Sequence, residues 1–123
     1  MGQGEVLFVA VFREAEKALE KCADADAARV WREMAARLEK DGSKSERGWL
    51  LLANGKAAKI ESAIAERASE VATLISQADA VERQGFTDRA LAIRRDLINR
   101  FGKYTDTAEA VRLVRATLPA DKE

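Results

Sequence analysis

Pro119 is the only proline among 123 residues. Everything before it is free of the one residue that both lacks an amide donor and clashes with the preceding helical turn. Alanine, leucine, glutamate and arginine recur throughout, and all four are good helix formers. From Glu46 to Gln84 the strongest interruptions are Gly48 and Gly55, and a mid-helix glycine costs only ~1 kcal/mol relative to alanine. The sequence therefore predicts an all-α fold around a long central helix over residues 46–84, with a break near Gly55 as the alternative. A chain of this length buries roughly two-thirds of its unfolded surface, enough for a single helical domain over residues 1–118. The 47% hydrophobic content argues against wholesale disorder.

Apolar spacing sets out about five antiparallel helices. Phe8, Val11, Phe12, Ala15, Ala18, Leu19 and Cys22 form one stripe over residues 5–22. "ADAD" at 23–26 is a turn in which Asp24 or Asp26 suits a helix cap. A second helix over 27–40 turns Ala28, Trp31, Met34 or Ala35, and Leu38 inward, completing a hairpin over 5–40. Gly42 suits its C-terminal end, and Ser43 or Ser45 the next N-cap. In the central helix Leu50, Ala57, Ile64, Val71 and Ala78 recur by sevens. Ala53, Ile60, Arg67, Leu74 and Val81 follow three residues after each, a heptad-like seam flawed only by Arg67. Gly85 ends that helix, and Thr87 or Asp88 caps the next, over 88–101, with Ala90, Ile93, Leu97 and Phe101 inward. Thr105, Asp106 or Thr107 caps a last helix over 107–118, which closes a second hairpin over 71–118. Its apolar residues are Ala108, Val111, Leu113 or Val114, and Leu118. Residues 119–123 read as a frayed tail.

Charge and residue absences exclude several functions. Lys+Arg and Asp+Glu both number 21, so the net charge is zero, which argues against a dedicated nucleic-acid or membrane-surface binder. Cys22 is the only cysteine, and there is no histidine. An intramolecular disulfide, a cysteine-rich zinc site, and the Ser-His and Cys-His nucleophile pairs are all ruled out. No cofactor, no metal and no catalytic residue is expected. Glu66 and Glu70 share a helix face, but the di-iron carboxylate pattern also needs histidines. Trp31 and Trp49 read as interhelix packing. Cys22, at a helix C-terminus where the dipole disfavours a thiolate, reads as passive. The apolar run Val6–Phe12 is too short to span a membrane and lacks the flanks of a secretory signal, so a soluble, cytoplasmic chain is expected. That run is also wider than one buried stripe needs, which marks Val6, Leu7, Val9 and Ala10 as a possible oligomer face. The glycines before it read as linker.

The chain carries a faint internal repeat. Shifted by 62 residues, "ALEKCADADAARVWR" lies over "AVERQGFTDRALAIR". Both show a helix end, a four-residue turn, an alanine and a bulky residue. An alanine-rich composition produces part of such a likeness by itself. Duplicated hairpins would stack, since neither buries its apolar face alone.

The second hairpin carries a more specific pattern: a small residue at Ala78, glycine at Gly85, alanine at Ala90, and a turn from Arg100-Phe101-Gly102 to Thr105-Asp106-Thr107, with Leu74 and Val81 apolar. Over about residues 71–118, with a poorer echo at 8–50, it resembles a tetratricopeptide repeat of the degenerate bacterial type. Gly102 stands where that family usually has proline, Arg94 where an aromatic is common, and the central helix exceeds the usual period of about 34 residues. The resemblance implies stacked hairpins and a non-catalytic adaptor or scaffold that holds a partner's peptide or helix on the inner surface of its first helices. Transferred to this chain, that surface holds Ala72, Ile75, Asp79, Glu82, Asp106, Glu109 and Leu113. Two alternatives stand beside it. One is a structural homo-oligomer assembled through the Val6–Phe12 face and the central seam. The other is an anion or nucleic-acid contact through the basic stretch 83–103, with Arg83, Arg94, Arg95 and Arg100.

Overall fold

The structure is a computed structural model that describes residues 3–42 and 44–119. It is all-α. Helices α1 (Gln3–Glu20) and α2 (Asp24–Asp41) precede a 3-10 turn at Lys44–Glu46 and the helix α3 (Arg47–Arg83). Helix α4 (Thr87–Phe101), a second 3-10 turn at Thr105–Thr107, and α5 (Ala108–Ala116) follow among the described residues. Helix α3 runs unbroken through Gly48 and Gly55, so the alternative break at Gly55 is not taken. The expected cap at Ser43 and the tail beyond Pro119 lie outside the described residues, as does the side chain of Ser45.

The contacts define two compact units, Met1–Ile64 and Ala65–Glu123, which divide α3 between them. In the first unit Ala15, Ala27, Trp31, Met34, Leu38, Ala53 and Ala57 form a buried core. Phe8 anchors it, its ring 5.3 Å from that of Trp31 and 5.2 Å from that of Trp49. In the second unit Val71, Leu97, Phe101, Val111 and Val114 play the same part. The seam residues Ala53, Ala57, Val71 and Ala78 are the most deeply buried of α3. Alanine lets the neighbouring helices approach closely.

The turns between paired helices are built alike. At the end of α3 the amide of Phe86 donates to Val81 O at 2.9 Å and that of Gly85 to Glu82 O at 2.9 Å, with Gly85 left-handed at φ 94°. At the end of α1 the amide of Ala23 donates to Ala18 O at 2.8 Å and that of Cys22 to Leu19 O at 3.0 Å, with Cys22 left-handed at φ 58°. Both are Schellman motifs. Cys22 thus belongs to the turn and not to the apolar stripe. The pair also corrects the repeat register, because Cys22 matches Gly85 at a shift of 63 residues, not 62. At that shift buried positions coincide: Ala15 with Ala78, Ala27 with Ala90, Met34 with Leu97, and Leu38 with Phe101. After a two-residue shortening in the following loop, buried Glu46 matches Thr107 and Ala53 matches Val114.

These turns displace the expected caps. Helices α2 and α4 follow Ala23 and Phe86 directly and have no side-chain cap bond. Asp24, Asp26 and Asp88 instead lie inside the first turns, where their charge favours the helix dipole. Thr107 precedes α5, but its hydroxyl donates backward to Phe101 O at 2.9 Å. Gly42, left-handed at φ 69°, does end α2, its amide donating to Leu38 O.

The N-terminal glycines are not all linker. Gly4 lies in the first turn of α1, buried, and its amide donates to the carboxylate of Glu46 at 2.9 Å. A buried carboxylate thus caps one of the orphan amides of that helix end. The flaw at Arg67 is also resolved. Its guanidinium donates to both oxygens of Asp106, at 3.1 and 3.2 Å, and lies 3.8 Å from the Tyr104 ring centroid. It is an anchor for the second 3-10 turn.

Candidate functional site

Within the first unit α1 and the N-terminal half of α3 run side by side in the same direction. Gly4 meets Glu46, Phe8 packs on Trp49, and the Lys56 ammonium stands 6.0 Å from the Phe12 ring. Between the two helices opens a groove of about 310 Å³. Its floor is Ala15 and Trp31, both only 2% exposed. Phe12 and Leu19 wall it on the α1 side, Ile60 and Ala63 on the α3 side. Glu16 and Asp24 line one rim, and Lys56 and Lys59 the other. A cleft of this size with an apolar lining and a few charges at its edge suits one or two anchoring side chains.

The corrected register shows what became of the same place in the second unit. Phe12 corresponds to Ile75, Ala15 to Ala78, Glu16 to Asp79, Leu19 to Glu82, and Trp31 to Arg94. Arg94 is 7% exposed and donates to Asp79 at 2.9 Å and to Glu82 at 2.8 Å. Its stem is buried and its guanidinium tip lies between two half-exposed carboxylates. The hydrogen bond from Arg94, then its charge, holds the Glu82 carboxyl below the ordinary carboxylate range. In the first unit an indole and a leucine leave this position open.

The residues expected on an inner binding surface therefore divide. Asp79 and Glu82 hold Arg94, Asp106 holds Arg67, and Ile75 packs against the core of the second unit. Glu109 accepts from Arg112 on its own helix at 3.0 Å. Ala72 and Leu113 are exposed. Of the expected oligomer face, Val6, Val9 and Ala10 are exposed, while Leu7 packs against the core of the first unit. Of the expected anion contacts, Arg83 and Arg95 are exposed. Arg94 is engaged as described, and Arg100 pairs with Glu70 and with Asp96. The groove of the first unit was not singled out in the sequence. The signal that finds it is the 63-residue shift, which lays Phe12, Glu16 and Leu19 over Ile75, Asp79 and Glu82.

Among the described residues no helix is long and apolar enough to cross a membrane. No protein-family model, no curated protein and no solved structure matches the chain.

Proposed function

We propose that the chain is a non-catalytic protein-interaction module and that the groove between α1 and α3 of the first unit receives a helix of its partner. One observation carries this proposal. The α1 side and the floor of this groove have counterparts in the second unit: the floor lies open over Trp31 in the first, whereas Arg94 bridges to Asp79 and Glu82 in the second. An apolar floor left open where its counterpart is bridged from within suits an outside group. The tetratricopeptide-like resemblance points the same way, since Trp31 supplies in the first unit the aromatic that Arg94 replaces in the second. Parallel first helices facing a groove are also the geometry that resemblance implies. An amphipathic helix would place one or two apolar residues over Leu19 and Ile60.

The test is photo-crosslinking in native lysate, with a benzophenone side chain at position 63, on the groove wall, and at position 113 as an exposed control. A discrete adduct from position 63 that is absent from 113 and lost in Leu19→Glu is the expected result. Adducts equal from both positions would discard the groove.

Self-association is a second proposal, favoured by the exposure of Val6, Val9, Leu51 and Leu52 on the same two helices. Sedimentation of the chain beside Val6→Glu/Val9→Glu decides it. A monomer at micromolar concentration in both would remove it. The anion-contact alternative is weakened by the internal pairing of Arg94 and Arg100.

A further inference from the structure

The geometry points to the chemistry of the groove's occupant: an amphipathic partner helix whose apolar stripe has carboxylates along one edge and a basic side chain along the other. This inference rests on the docking function proposed above.

Glu16 on one rim and Lys56 and Lys59 on the other carry opposite charges and are not paired with one another. Glu16 stands on the α1 side, and Lys56 and Lys59 stand on the α3 side. None of the three forms an ion pair with a described residue. Opposite charges flanking a cleft leave Glu16 on one side and the two lysines on the other to be answered by whatever apolar body fills it. A helix with uncharged edges would leave Glu16 and the two lysines unanswered, and a helix with edges of one sign would meet like charge on one side. Like-charge juxtaposition at an interface costs affinity and suppresses wrong partners.

The second unit provides an internal template for half of this pattern. There Asp79, the counterpart of Glu16, accepts a hydrogen bond from a guanidinium supplied by the chain itself at 2.9 Å. In the first unit the acceptor is present as Glu16, and Trp31 stands at the position of the donor. A basic side chain from outside restores the pair. The half with no counterpart is the α3 rim. Lys56 is half-buried against the Phe12 ring, which holds its ammonium at the edge of the groove, and Lys59 is exposed one turn on. That rim calls for carboxylates.

The same pattern fixes direction. Reversing a helix end for end in a groove exchanges its two edges. A helix with one acidic and one basic edge is therefore accepted in one direction only, the one that turns its carboxylates toward α3.

The experiment uses four synthetic stapled helices with one common leucine stripe. Their edges are Glu and Lys, Glu and Glu, Lys and Lys, or Gln and Gln. Binding to the full chain is read by calorimetry at low and at high salt. The Glu/Lys helix is expected to bind about tenfold more tightly than either like-charged helix, with the gap narrowing as salt rises. In Lys56→Glu/Lys59→Glu both rims are acidic, and the preference is expected to pass to the Lys/Lys helix. Helicity of that variant by circular dichroism, with Lys56→Gln/Lys59→Gln beside it, separates a binding effect from a folding one. Equal affinity for all four helices, lost in Leu19→Glu, would overturn the charge assignment and leave the groove standing. Binding of none, or binding unaffected by Leu19→Glu, would overturn both.

Discussion

Arg94 stands 63 residues after Trp31, at the matching buried place of the second unit, and donates to Glu82 where Trp31 shares a groove with Leu19. The arginine does two jobs there: its stem fills core volume and its tip pairs with carboxylates. Substitution separates them. Arg94→Met keeps most of the volume and leaves two half-exposed carboxylates in water, so it should cost under about 1 kcal/mol, since apolar replacement of an ion pair is often near neutral. Arg94→Ala removes the stem as well and should cost about 2 kcal/mol through lost packing. Urea denaturation of the two variants beside the parent tests this. Equal losses would show that the stem does no packing.

The pairing also sets an acid sensitivity. The folded state holds Glu82 below its ordinary value, first through the hydrogen bond from Arg94 and then through its charge. A depressed carboxyl contributes stability that is fully present above the unfolded value, near 4.5. It is lost as pH falls below 4.5 and through the lowered folded value. Glu61 and Glu109 are held down in the same direction by Arg32 and Arg112, so the parent chain as a whole loses stability in acid. The gap in urea midpoint between parent and Glu82→Gln isolates the Glu82 part. It should be largest near pH 7 and shrink toward pH 3. A gap independent of pH would discount the pair.

Much of the fold was legible because its signals are local. Gly42 and Gly85 mark helix ends by the left-handed backbone glycine permits, and the sevenfold spacing of Ala57, Ile64, Val71 and Ala78 marks the buried side of α3. What escaped depends on contacts distant in sequence. Arg67 looked like a flaw in the seam because its partner Asp106 lies 39 residues on. Gly4 looked like linker because the carboxylate that meets it is Glu46. The groove escaped for another reason. Cysteine almost never takes a left-handed backbone, so nothing marked Cys22 as the counterpart of Gly85, and a register one residue off hides the match of Trp31 with Arg94.

Cys22 offers a stabilising substitution. A left-handed residue other than glycine costs roughly 1–2 kcal/mol, and Cys22 holds φ 58° in the first Schellman turn. Glycine loses more chain entropy on folding, which offsets part of that relief. Cys22→Gly should raise stability by about 0.5–1 kcal/mol, and Gly85→Ala at the matching turn should lower it by about 1 kcal/mol. Thermal unfolding followed by circular dichroism reads both. Opposite signs are the expected signature of one turn built twice, and a destabilised Cys22→Gly would contradict it.

The Arg67–Asp106 pair is more deeply placed. The Arg67 side chain is 12% exposed and that of Asp106 6%. Removing one partner of such a pair leaves charge in a poorly solvated site. Asp106→Ala should therefore cost about 3 kcal/mol, and Asp106→Asn, which keeps an acceptor, clearly less. Urea midpoints decide this, and a loss under about 0.5 kcal/mol in Asp106→Ala would mean that the pair is no better than a surface one.

Gly4 is constrained from the other side, by space. A Cβ there would lie 2.5 Å from Trp49 Cδ1 and in collision with the Glu46 carboxylate. Neither neighbour yields easily. Trp49 is held by the Phe8 ring, and the Glu46 carboxylate is buried and accepts the Gly4 amide. Alanine is the better helix former elsewhere in a helix, so propensity alone predicts that Gly4→Ala stabilises α1. Crowding predicts the reverse, and overpacking of this kind typically costs 1–3 kcal/mol. Gly4→Ala should therefore destabilise the chain by about 2 kcal/mol and change the emission of Trp49. Glu46→Ala, which leaves the amide without its acceptor, should cost about 1–2 kcal/mol. In the double variant Gly4→Ala/Glu46→Ala one of the two obstacles to the new methyl is gone, so its loss should be smaller than the sum of the two single losses. Full additivity in urea denaturation would mean that the glycine and the carboxylate do not act on each other.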